Sequence, residues 1–117
     1  MRIDILTLFP EMFDGVLGTS ILGRAQSAGL LTVQAWNIRD FAFDKHRTVD
    51  DVPYGGGAGM VLKPDVVTAC LEHVKAVNPG KVVYLTPQGS VFDQVKAESL
   101  AQEASLILLC GHYEGID

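Results

Sequence analysis

The sequence predicts an α/β domain with a mainly parallel sheet and helices on both faces. Three observations carry this. Short apolar runs recur along the chain, amphipathic helical patterns fill the gaps, and most of the runs hold few polar residues, as strands covered on both faces do. At 117 residues the chain is one domain, able to bury roughly 65% of its unfolded surface.

The elements follow in order. "IDILTL" (Ile3–Leu8) opens the chain as a β-branched run that stops at Pro10. Pro10 to Ala28 holds two short helical pieces, separated near Gly18, Thr19 and Ser20. "LLTVQAW" (Leu30–Trp36) is the second strand. From Asn37 to Lys63 no periodicity appears, and a loop of about 27 residues in a compact domain is functional or mobile. "PDVVTACLEHVKAV" then places Val67, Cys70, Leu71, Val74 and Val77 on one helical face. Pro64 suits the first helical position, and "NPG" at Asn78–Gly80 ends the helix. "KVVYLT" (Lys81–Thr86) is a strand, "FDQVKAESLAQEA" a helix with Phe92, Val95, Leu100 and Ala104 apolar, and "LILLC" (Leu106–Cys110) the last strand.

Composition narrows the class. The hydrophobic content of 48% suits a globular core, and no apolar run approaches the ~20 residues of a membrane span. Asp4 and Glu11 interrupt the N-terminus, so it does not read as a secretory signal, and a cytoplasmic address is expected. A net charge of −5 argues against nonspecific coating of nucleic acid while leaving room for a local basic patch. Cys70 and Cys110 form no C-x-x-C pair and sit in apolar surroundings, which points to buried reduced thiols rather than zinc.

In open α/β sheets, ligands gather at the carboxyl ends of strands. "TPQGS" follows "KVVYL", and "GHYEGID" follows "LILLC". Pro87 and Gly89 force a tight turn, while Gly111 and Gly115 keep the second loop slim. Backbone exposed in two such loops could hold a purine, although plain strand-to-helix turns want the same residues. Phosphate fingerprints fail: "GGGAGMVLK" lacks the Gly-Lys-Ser/Thr of a P-loop, and G-x-G-x-x-G breaks at Met60 or at Leu62.

The long loop sets Arg39, Lys45, His46 and Arg47 beside Asp40, Asp44, Asp50 and Asp51. Three readings stand open. Its charges pair on a solvated surface; or His46, Asp50 and Asp51 hold a metal, with loose spacing against it; or the segment is a substrate lid. In the last, cations meet phosphates, carboxylates handle protons, and glycines let a base lie against backbone. His73, beside Glu72 in a helix, reads as structural or solvated, and Tyr113 and Glu114 could stack on or bond a ligand.

"LFPEMF", "HRTVDDVPYGGGAGM", "YLTPQG" and "LCGHYEGID" occur in the order and spacing of the bacterial tRNA (guanine-N(1)-)-methyltransferase family, whose N-terminal portion this chain resembles over all 117 residues. That family belongs to the SPOUT superfamily, with a trefoil-knotted α/β domain. The resemblance implies methyl transfer from S-adenosylmethionine to N(1) of guanosine at tRNA position 37, by a homodimer, in a magnesium-assisted reaction. It implies Tyr84, Leu85, Thr86 and Pro87 as one wall of the cofactor pocket, and Gly111, Tyr113, Glu114, Gly115 and Ile116 as the other. His46, Arg47, Gly59 and Met60 would hold tRNA, with Arg24 a weaker candidate and Asp50 near the reaction. Thr86 and His112 stand where family members often carry Ser and Arg. The family's chains continue well past "GHYEGID" with the Asp taken as general base and a helical tRNA-gripping domain, so this chain is expected to be a fragment, inactive or weakly active alone. Two other classes compete: an α/β nucleotide or flavin binder, and a non-catalytic ligand-binding or dimerisation module.

Overall fold

The structure, a computed structural model, describes residues 1–44, 49–51, 61–86 and 89–111. Strand β1 (Arg2–Thr7) leads through a 3-10 turn (Pro10–Phe13) and helices α1 (Asp14–Leu17) and α2 (Ser20–Ser27) to β2 (Thr32–Asn37). A second 3-10 turn (Ile38–Phe41), the short strands β3 (Asp50–Asp51) and β4 (Val61–Leu62), and helix α3 (Pro64–Lys75) follow. Then come β5 (Lys81–Leu85), α4 (Gln94–Ala101) and β6 (Ser105–Cys110). The four long strands form one parallel sheet in the order β2-β1-β6-β5, and β3 pairs antiparallel with β4 apart from it.

Register assigns the faces. Leu6 of β1 lies beside Trp36 of β2 and Leu109 of β6, and Asp4 beside Ile107. Leu6, Ile107 and Leu109 pack in one core with Val66, Val67, Cys70 and Val74 of α3, so this face carries α3. Ile5 and Leu106 point the other way by strand alternation and are each only 5% exposed. The step from β1 to β2 and the step from β5 to β6 run in the same direction across the sheet, opposite to the step from β2 to β5. Right-handed crossovers therefore put α1, α2 and α4 on the face away from α3. The fold is α/β with helices on both sides, as its sequence predicts.

One charged residue is built into the core. Asp4 is fully buried, and its carboxylate accepts from Arg2 Nε at 2.8 Å, Trp36 Nε1 at 2.8 Å and Asn78 Nδ2 at 2.7 Å. Asn78 Nδ2 also donates to the Leu106 carbonyl, and Asn78 Oδ1 accepts from the Gly80 amide. The network ties β1, β2, β6 and the exit of α3 together. Burial pushes the Asp4 carboxyl up, but the bonds from Arg2, Trp36 and Asn78 and the Arg2 charge outweigh it, holding the group below its ordinary range. Next to it, a Cβ on Gly80 would lie 2.4 Å from the Ser105 carbonyl oxygen, so β5 enters the sheet only with glycine there.

Several details differ from the sequence pattern. Helix α3 stops at Lys75 and leaves Val77 53% exposed, while Val66 takes a buried place the pattern missed. The reason is Asn78, drawn inward to Asp4, which turns the chain before Val77 reaches the core. Phe92 and Val95, expected on the packed face of their helix, are 69% and 74% exposed, and α4 is shorter than its pattern. Coverage on both faces holds for the central strands β1 and β6, whereas β2 and β5 are edges with exposed positions. The stretch from 37 to 63, expected without structure, carries the second 3-10 turn and the β3–β4 pair.

Candidate functional site

The carboxyl ends of β5 and β6 lie side by side, with Tyr84 in register with Leu109 and Leu85 with Cys110. Gly111 follows β6 directly, and a Cβ there would come within 3.1 Å of the Tyr84 hydroxyl. Tyr84, Leu85, Thr86 and Gly111, the described members of the expected cofactor pocket, are thus neighbours. Tyr84 and Leu85 stand exposed at 38% and 49%, unusual for apolar strand residues in a parallel sheet. They are among the residues of the edge strand that line a cleft of about 780 Å³ between β5 and α4, walled further by Gly89, Phe92, Lys96 and Leu100.

Local chemistry shapes its rim. The Gly89 amide donates to the Thr86 carbonyl, closing a turn. Asp93 caps α4 by accepting from the Lys96 amide at 2.9 Å, and Lys96 Nζ donates to the Ser90 hydroxyl. Among the described residues no Asp, Glu or His lines the cleft. Its described walls are strand backbone and mainly apolar side chains.

Other expected site residues lie elsewhere. Arg24 is exposed on α2, beside a separate cleft of about 560 Å³ that it lines with Gly18, Ser20 and Gly23. Asp50 sits in β3, in register with Leu62. His46, Arg47, Gly59, Met60, Pro87, Tyr113, Glu114, Gly115 and Ile116 fall outside the described residues, as does His46 of the weighed metal set. Among the described residues no group of three or more His, Cys, Asp or Glu could hold a metal.

Sequence reading misses the Ser90–Lys96 contact and the roles of Phe92 and Leu100 as cleft walls, because helical periodicity assigns apolar residues to the core. It also misses the Asp4 network, whose signal is a lone carboxylate inside "IDILTL". Both cysteines are free thiols, as expected. Burial, with Asp40 nearby, pushes the Cys70 thiol up to about 12, and burial raises half-buried Cys110 as well.

A parallel sheet with helices on both faces and a cleft running along its edge strand β5 defines an α/β domain. The model of the family described as tRNA (Guanine-1)-methyltransferase TrmD matches residues 1–117. Relatives named tRNA (guanine-N(1)-)-methyltransferase include one from Geobacillus kaustophilus (strain HTA426), 58% identical over 118 residues, covering 100% of this chain and 48% of the relative. One from Alkaliphilus metalliredigens (strain QYMF) is 56% identical over 121 residues, covering 100% and 49%. The chain belongs to the tRNA (guanine-1)-methyltransferase family. It spans about half the length of the curated relatives it matches.

Proposed function

We propose that the protein methylates N(1) of guanosine at position 37 of tRNA and that this chain forms its donor-binding part. The observation that carries it is the family match over the whole chain, at up to 58% identity to named relatives. The geometry supports the donor site: an open, apolar-walled cleft begins at Tyr84, Leu85 and Thr86, and glycine at 111 leaves the Tyr84 phenol its place. S-adenosylmethionine fits those walls as an adenine-bearing group and, when bound, supplies a methyl group already activated on sulfur.

Tyr84, Leu85, Thr86 and Pro87 would hold the donor on one side, and Gly111, Tyr113, Glu114, Gly115 and Ile116 on the other. Guanine N(1) carries a proton at neutral pH, so alignment and deprotonation are what the protein must add. Asp50 would assist near the reacting base, with the principal base Asp in the further half that the relatives carry. His46, Arg47, Gly59, Met60 and Arg24 would meet the RNA, cations toward phosphates and glycine toward the base. A homodimer, a SPOUT knot and a cytoplasmic address belong to the same proposal. No described residue is assigned to magnesium.

Calorimetric titration of the chain with S-adenosylmethionine, GTP and FMN tests it. Binding of the methyl donor alone is the expected result. Binding of GTP or FMN in its place would sink the methyltransferase reading in favour of a nucleotide or flavin binder. A methyl-transfer assay on the chain alone is expected to show little or no turnover.

A further inference from the structure

The helical segment between β1 and β2 has no fully buried residue, whether in the 3-10 turn Pro10–Phe13, in α1 or in α2. Its apolar side chains divide. Phe13, Leu17 and Ala25 are partly covered, whereas Met12, Val16 and Ile21 are 71%, 62% and 75% exposed, and Leu22 and Leu30 are exposed as well. Surface helices keep polar residues outward, so an outer side this apolar suits helices that meet a partner. The segment is held in one shape. A Cβ on Gly23 would stand 2.7 Å from the Gly18 carbonyl oxygen, so the chain turns from α1 into α2 against bare backbone. Gln26 Nε2 donates to the Leu17 and Leu22 carbonyls, and Ser20 at the corner takes φ +54°, which a serine keeps only where its surroundings enforce it.

Charge names the partner. Between residues 10 and 30 the charged side chains are Glu11, Asp14 and Arg24. All three are exposed, and among the described residues none makes an ion pair or a side-chain hydrogen bond. The other exposed apolar set, Val91, Phe92 and Val95, lacks such free charges, because Asp93, Lys96 and Glu98 are already bonded to the Lys96 amide, Ser90 and Gln94. A face with both signs unpaired complements itself across a two-fold axis. A net charge of −5 sets two copies against each other at long range, so their contact needs such local pairs. We infer that the α1–α2 face is where two copies of this chain associate. Met12, Val16 and Ile21 pack across the axis, and Arg24 of each copy meets Glu11 and Asp14 of the other. Arg24 then faces a carboxylate instead of an RNA phosphate. This would be the face of the proposed homodimer, and only its use in methyl transfer rests on that reading.

Sedimentation velocity of the 117-residue chain over a concentration series tests this. A monomer–dimer equilibrium is expected. Ile21→Glu should weaken the dimer at least about tenfold, because it sets a carboxylate among apolar side chains, while Val95→Glu on α4 should leave it unaltered. Arg24→Glu alone, or Glu11→Arg with Asp14→Arg, should each weaken it about tenfold. All three charge changes together should restore it to within about threefold, since opposite charges meet again, and restoration also shows that the altered chains fold. A chain still monomeric at about 100 μM overturns the inference, as does growth beyond the dimer. Loss of the dimer in Val95→Glu but not in Ile21→Glu overturns it too, and so does failure of the combined reversal to restore it. None of these readouts involves tRNA or the methyl donor. A monomer therefore removes this face and leaves the methyltransferase reading to the donor titration.

Discussion

Helices α3 and α4 have similar sequence credentials and opposite fates. Each follows a polar opening, each carries apolar residues at helical spacing, and each connects two strands of the sheet. Helix α3 buries Val66, Val67, Cys70 and Val74, whereas α4 has no fully buried residue and leaves Val95 74% exposed. The difference is where each helix lands. The crossing from β2 to β5 takes α3 over the two central strands, and Asn78 then locks its exit to Asp4. The crossing from β5 to β6 keeps α4 at the sheet's edge, standing off a cleft. One helix closes the core; the other stands off a cleft.

The largest test of this contrast is Asp4→Ala. It takes the carboxylate acceptor from the part-buried Trp36 Nε1–H and from one of the two Asn78 Nδ2 hydrogens, and a loss of about 3 kcal/mol in urea unfolding is expected. Acid should show the same group. Its folded pKa lies below the ordinary 3.8, so its contribution is fully present above that value and lost as pH falls through the folded value. A chain with Asp4→Asn should show a flatter decline of the urea midpoint below about pH 4, and an unchanged decline would mean Asp4 is not the group responsible.

Next comes a matched pair. Val74→Ala should cost about 2–3 kcal/mol, since it removes two buried carbons and leaves a cavity. Val95→Ala should stay within about 0.5 kcal/mol. Equal losses would mean that α4 is packed as firmly as α3, and the cleft would be lost as an explanation.

At the ends of β5 and β6, Gly111→Val should displace the Tyr84 phenol and weaken S-adenosylmethionine binding about tenfold by calorimetry. Its effect on thermal unfolding should be small, since a ring at the surface can yield. Unaltered affinity would place the donor away from the ends of β5 and β6.

The smallest effect expected is in thiol reactivity. At pH 8, Cys110 should react with iodoacetamide before Cys70, because Cys70 is fully buried with its thiol raised to about 12. Labelling followed by peptide mapping checks this, and faster reaction at Cys70 would mean that the α3 side of the core opens readily.

Much of this was decided locally. Alternating and continuous apolar runs place all four long strands within a residue or two, because side-chain periodicity and turn chemistry act over a few neighbours. Pro64 starts α3, "NPG" follows its end, and the break near Gly18 to Ser20 falls between α1 and α2, each for reasons written in those residues. The carboxyl ends of β5 and β6 were legible as strand ends followed by glycine-bearing loops, while the choice of Tyr84, Leu85 and Thr86 there came from the family resemblance.

Tertiary structure decided the rest. The order β2-β1-β6-β5 joins strands far apart in the chain, and no local pattern specifies which pair. That order alone puts Asp4 where Trp36, Asn78 and Arg2 can all reach it, and it makes β5 an edge. A carboxylate that reads as a flaw in an apolar run becomes the knot of hydrogen bonds holding the sheet to α3. An amphipathic helix that reads as core becomes a cleft wall. Local pattern states which surfaces are apolar; only the distant pairing of strands settles which of them meet.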